Sequence, residues 1–141
     1  MKPIYIAAYH QSIFGKLFDM TVPQIVERAV VDTCRTIEAE PSAIDVGAIA
    51  SACSFTLNDQ GLLSGLMAMV PGLESKPLEF VDNACASGGQ AVLSTILQLQ
   101  VGLGEVGIAV GYEKMRDAQG KMDGKLIGKV LGYFSHPDDR E

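Results

Sequence analysis

The stretch from Ala84 to Val101 places the tightest constraint on this chain. At helical spacing, Ala84, Ala86, Ala91, Val92, Leu93, Ile96, Leu97, Leu99 and Val101 spread around most of a helix circumference. A helix that is apolar on all sides must be covered on all sides. A single sheet covers one face. A second layer must cover the other, and 141 residues leave little chain to build it. The pattern therefore calls for a tight partner or for a part of the fold outside these residues.

The segments on either side supply the sheet. Ile4–Tyr9 is a short apolar run of strand type. Thr21 opens a helix: Thr21 and Gln24 have capping-box spacing, and Pro23 is tolerated in a first turn. Val22, Ile25, Val26, Ala29, Val30, Thr33 and Ile37 share one face of that helix, and Pro41 closes it. Val46–Cys53 fits a buried strand, Leu57–Gly61 a loop, and Gly61–Val70 a short apolar helix ended by Pro71-Gly72. Leu78–Asp82 is a third strand, Ala84–Leu103 a long helix, and Gly104–Gly111 a fourth strand. The order β-α-β-α-β-α-β predicts a layered α/β fold with a mostly parallel sheet. After Gly111 the chain becomes loop-like, with a short helix near Lys125–Leu131.

Composition narrows the function. Hydrophobic residues make up 48% and charged residues 20%, which excludes a disordered chain. The most apolar stretches, Leu62–Val70 and Ala91–Val101, are too short for a membrane span. A net charge of −6 argues against nucleic-acid binding. Residues 1–111 hold five basic groups against eleven acidic ones, and residues 112–141 hold six of each. That mixed tail reads as a solvated surface, with contact to an anionic ligand as the alternative. Cys34, Cys53 and Cys85 form no CxxC or Cys/His cluster, so no metal site is expected. The start of the chain resembles a strand more than a secretory leader, and the expectation is a cytoplasmic protein with reduced thiols.

The chemistry concentrates in Asn83-Ala84-Cys85-Ala86-Ser87-Gly88-Gly89, which follows a strand and opens the apolar helix. This strand-turn-helix elbow puts Cys85 beside free backbone N–H groups and the positive end of the helix dipole. A thiolate is favoured there, and with it nucleophilic attack. The same N–H groups could stabilise an oxyanion on an acyl carbon. Gly88 and Gly89 would let a substrate or another backbone approach closely. Position alone fits equally well a small buried cysteine at a helix start. Cys34 and Cys53 read as packing residues.

Val81-Asp82-Asn83-Ala84-Cys85-Ala86-Ser87-Gly88-Gly89-Gln90-Ala91 resembles the nucleophile segment of thiolases, an N-x-x-C-A-S-G type sequence. Gly111-Tyr112-Glu113-Lys114-Met115 is similar to the G-x-E-K-M or G-x-E-S-M block of that family, and Lys114 brings it nearest the sterol-carrier-protein-type thiolases. The resemblance implies a first-half thiolase-like core over residues 1–112 and the beginning of a loop domain, partly disordered, over 113–141. It implies Claisen-type acyl transfer between coenzyme A thioesters in either direction. Cys85 would accept the acyl group, acyl-CoA and coenzyme A would be substrates, and no resident cofactor is implied. Lys and Arg residues of 114–140 become candidate phosphate contacts. A homo-oligomer is implied as well, with Leu78–Asp82 pairing with its copy across a two-fold.

The family's later elements are an N-E-A-F-type segment, a G-H-P histidine and a C-x-G-G-G cysteine, and these 141 residues contain none of them. His136-Pro137 comes too early and reads as a loop, as does His10. Without an activating histidine and an acid/base for the enolate, the chain alone is expected to be inactive. It is read as a fragment, or as one subunit of a split enzyme whose second chain supplies the C-terminal half. The alternatives are a ketoacyl-synthase-like condensing enzyme and a non-catalytic thiolase-like subunit.

Overall fold

A computed structural model describes residues 2–15, 17–116 and 120–132. The elements run α1 (Val22–Arg35), β1 (Val46–Ala50), α2 (Ser54–Asn58), α3 (Leu63–Ala68), β2 (Leu78–Val81), α4 (Ser87–Gln100), β3 (Gly107–Gly111) and α5 (Gly124–Val130). Short 3-10 turns at Pro41–Ala43 and Ala84–Ala86 lead into β1 and α4.

The sheet has the order β2-β1-β3 and is parallel throughout. β1 is the centre, pairing Ala50 with Val81 on one side and with Gly111 on the other. All five of its residues are buried, as a central parallel strand covered on both faces requires. The fold class is therefore α/β, as expected, with a small open sheet.

Strand alternation divides the core. Ile49, Ile108 and Val110 point into a cluster with Val22, Val26, Val30 and Cys34 of α1 and Leu63 and Met67 of α3. Each fully buried large side chain there contributes about 1.5–3 kcal/mol. Ala48 and Ala50 turn to the other face and meet Ala91 of α4. Small residues on that face let α4 lie close to the sheet. At Gly107 a Cβ would sit 2.5 Å from Thr95 Cγ2, so only glycine allows this approach.

Local rules explain the helix boundaries. Thr21 Oγ1 accepts from the Gln24 amide, and Gln24 Oε1 accepts from the Thr21 amide at 2.8 Å, closing the expected capping box on α1. Asp45 Oδ2 accepts from the amides of Glu105 and Val106 at 2.9 and 3.0 Å, stapling the entry of β1 to that of β3.

Two expectations need correction. Ile4–Tyr9 forms no strand, and Tyr5, Ile6 and Tyr9 are exposed. The run has strand character but pairs with neither sheet edge. Polar ties hold its start instead, an ion pair of Lys2 with Glu105 at 3.6 Å and a hydrogen bond from Gln100 Nε2 to the Lys2 carbonyl. The second correction lies after β1. The strand stops at Ala50, and Ser54–Asn58 turns into helix α2 where a loop was expected from Leu57. Asp59 ends α2 in a left-handed conformation, which an Asp tolerates better than most residues.

The apolar helix keeps its unfilled demand. Ala91, Thr95 and Leu99 face the sheet and are buried, whereas Val92, Leu93, Leu97 and Val101 remain exposed. Among the described residues, no helix is long and apolar enough to cross a membrane. The expected loop domain is described only up to residue 132, and His136-Pro137 lies outside the described residues.

Candidate active site at the carboxyl edge of the sheet

Because the three strands are parallel, their carboxyl ends meet at one edge. Open α/β sheets bind their ligands along that edge. β1 delivers Ser51, Cys53 and Ser54, β2 delivers Asp82 and Cys85, and β3 delivers Tyr112 and Glu113.

The elbow after β2 is tied at its base. Asp82 Oδ1 accepts from the Ala84 amide at 2.9 Å. The buried Ser87 hydroxyl lies 3.2 Å from Asp82 Oδ1 and 2.7 Å from the Ala84 carbonyl, and it accepts from the Asn83 amide at 2.8 Å. Ala84 takes φ +47, a left-handed conformation unusual for a residue with a Cβ. Such strain persists only where surrounding contacts impose it. Cys85 rides on this turn, is exposed, and bears a free thiol. No side chain caps the N-terminus of α4. At Gly88 and Gly89 an added Cβ would meet nothing within 4 Å among the described residues.

The β1 turn is held by Glu113. Its Oε1 accepts from the Ala52 amide at 2.7 Å, the Cys53 amide at 3.2 Å and the Ser51 hydroxyl. The buried Tyr112 hydroxyl bonds to Ser54 Oγ, and its amide donates to the Ala50 carbonyl at 3.2 Å. Asn58 Nδ2 donates to the Lys114 carbonyl at 2.8 Å, and Lys114 Nζ reaches the Met20 carbonyl. The Tyr112-Glu113-Lys114 block thus braces the turn beside the elbow. Burial raises the Tyr112 phenol, an effect its hydroxyl hydrogen bonds partly offset.

The three cysteines occupy different settings. Cys34 is buried in the core, and burial together with Glu40 raises its thiol. Cys53, the last residue of the expected strand run Val46–Cys53, sits past the strand end at the mouth of α2, half-buried. Burial pushes its thiol up to about 12, helped by the hydrogen bond and charge of Glu113 and by the charges of Cys85 and Asp82. Sequence reasoning missed this placement. The available signal was the Ser51-Ala52-Cys53-Ser54 run, too polar for a strand interior. Among the described residues, no group of three or more His, Cys, Asp or Glu side chains is placed to hold a metal ion. His10 Nε2 lies 3.7 Å from Asp32 Oδ2 on α1. A groove lined by Tyr9, Phe14, Phe18, Tyr112 and Lys114 runs under the N-terminal segment and does not include Cys85.

The family described as thiolase, N-terminal domain, matches residues 5–134. An acetyl-CoA acetyltransferase of Methanothermobacter thermautotrophicus is 29% identical over 117 residues, covering 83% of this chain and 30% of the relative. An acetyl-CoA acetyltransferase of Methanocaldococcus jannaschii is 27% identical over the same length and coverage. The chain thus spans about a third of the length of the curated relatives it matches. With a match running from the N-terminal segment through the elbow and the Tyr112-Glu113-Lys114 block, the chain belongs to the thiolase family, through its N-terminal domain.

Proposed function

We propose that this chain carries the acyl-accepting cysteine of an acyl-CoA C-acyltransferase of the thiolase type, with Cys85 as the nucleophile. The observation that carries the reading is an exposed thiol on a tied elbow at the carboxyl edge of a parallel sheet. Family membership and relatives named acetyl-CoA acetyltransferase support the same chemistry. Cys85 Sγ attacks a thioester carbonyl, the C–S bond to coenzyme A breaks, and the acyl group stays on Cys85. The carbanion of a second acyl-CoA then attacks that acyl carbon and releases the cysteine. In the reverse direction coenzyme A takes the acyl group. The Cys85 amide contributes to the oxyanion site, and Gly88 and Gly89 leave room for the thioester.

Lys114 favours the sterol-carrier-protein-type branch, and the cations after Gly111 are candidate contacts for coenzyme A phosphates. The outer edge of β2 would pair with a second copy, making a cytoplasmic homo-oligomer. Neither a G-H-P histidine nor a C-x-G-G-G cysteine occurs in these 141 residues, so they supply acylation and depend on a C-terminal half for condensation.

The test is acyl trapping. The chain is incubated with acetyl-CoA, quenched in acid and cleaved after glutamate, which puts each cysteine on its own peptide. An acetyl group is expected on the Cys85 peptide and absent from Cys85→Ala. Acetyl label that survives Cys85→Ala would remove Cys85 from the mechanism. Transfer from acyl carrier protein in preference to acetyl-CoA would favour the ketoacyl-synthase-like reading.

A further inference from the structure

The elbow has a neighbour that acyl transfer does not use. Ala50 and Val81 are register partners on adjacent parallel strands. Cys53 lies three residues beyond Ala50, and Cys85 four beyond Val81, both past the strand ends on the same edge of the sheet. Cys53 is fixed in place, because Glu113 accepts from its amide at 3.2 Å and from the preceding amide at 2.7 Å. Cys85 lies near enough for its charge to be felt at Cys53. Cys85 is exposed and carried on a separate turn. One thiol is therefore accessible, and the other is anchored on the adjacent turn of the same edge.

We propose that Cys85 and Cys53 form a redox pair that closes to an intramolecular disulfide when a peroxide oxidises Cys85, reversibly masking the Cys85 thiol. The Cys85 thiolate attacks one peroxide oxygen, the O–O bond breaks, and hydroxide leaves with Cys85 as sulfenic acid. Cys53 sulfur then attacks Cys85 sulfur, losing its proton, and the S–O bond breaks. The departing hydroxide takes that proton as water. Each sulfur gives up one electron, and the peroxide is reduced to two waters. A dithiol reductant reverses the step by exchange. The inference needs an accessible Cys85 but not its acyl transfer, and its readout is independent of acylation.

The reduced chain is treated with a small excess of hydrogen peroxide, free thiols are blocked, and the protein is cleaved after glutamate without reduction. Cys34, Cys53 and Cys85 fall on separate peptides. The expected product is a Cys53–Cys85 linked pair, lighter by two hydrogens than the sum of its parts and lost on treatment with dithiothreitol. In Cys53→Ser the linked pair disappears and Cys85 proceeds to sulfinic acid instead. Cys34→Ser leaves the link intact. Four outcomes would overturn the proposal: sulfinic Cys85 with Cys53 still reduced in the unsubstituted chain, a link to Cys34, a Cys85–Cys85 link between two chains, or equal linking in concentrated urea.

Discussion

At the scale of single residues, environment separates three otherwise identical thiols. Cys34 is enclosed by the α1 core, Cys53 is gripped by Glu113, and Cys85 stands exposed on its turn. Glu113 disfavours a thiolate at Cys53 both by accepting its proton in a hydrogen bond and by its charge. Replacing Glu113 by Gln keeps an oxygen for the Ser51–Cys53 turn but removes the charge, so the raised Cys53 thiol should fall. Alkylation by iodoacetamide at pH 8 is expected to be fastest at Cys85 in the native chain. In Glu113→Gln the Cys53 rate should rise several-fold while Cys34 stays unchanged. An unchanged Cys53 rate would show that burial alone protects it. Asp45 is a second residue whose charge is put to structural use. The amides of Glu105 and Val106 hold its carboxyl below the ordinary value of 3.8. A depressed carboxyl contributes stability above its unfolded pKa and loses it as pH falls through the folded one. Asp45→Asn should therefore cost on the order of 1 kcal/mol at neutral pH. It should also flatten the fall in stability on acidification below about pH 4, as read by urea unfolding across pH.

At the scale of elements, the sheet is asymmetric in what it accepts. The face toward α1 and α3 takes Ile49, Ile108, Val110 and Met67, large side chains packed to near-zero exposure. The face toward α4 takes Ala48, Ala50 and Ala91, and Gly107 lies against Thr95 and Leu99. Small residues on both partners bring α4 close to the backbone. Thr95 Oγ1 sits 2.9 Å from the Ala91 carbonyl and 3.3 Å from that of Ile108 on β3. Gly107→Ala would force its methyl onto Thr95 Cγ2, and overpacking of this kind costs about 1–3 kcal/mol. The expected result is a lower melting temperature by calorimetry, partly restored by Thr95→Ser, which removes the clashing methyl. Because α4 begins at the elbow, its docking also sets where Cys85 stands.

At the scale of the whole molecule, one face of α4 is left uncovered by the described residues. Val92, Leu93, Leu97 and Val101 are 46%, 49%, 54% and 73% exposed, whereas Met67 is fully buried. Leu97→Asp should change stability in denaturant by no more than about 0.5 kcal/mol, like other surface substitutions. Met67→Ala should cost about 2–5 kcal/mol. Equal costs for the two would mean that α4 packs against something within the chain that these contacts omit. The match to about a third of each curated relative accords with a sheet that has two open edges and a helix with one uncovered side.

Much of this was legible in the order of residues. The Thr21–Gln24 cap, the α/β alternation, the strands near Val46, Leu78 and Gly107, and the elbow at Cys85 all follow from local periodicity and turn chemistry, whereas α1 ends at Arg35, ahead of the stop expected at Pro41. Such signals act over a few residues and need no partner from elsewhere in the chain. Whether a run with strand character becomes a strand depends on a neighbour to pair with, and Ile4–Tyr9 has none among the described residues. The position of Cys53 also required the fold, because the carboxylate that holds it is 60 residues away in sequence. Only parallel strands ending at a common edge bring Glu113 onto the turn after β1, and Cys53 beside the elbow that carries Cys85.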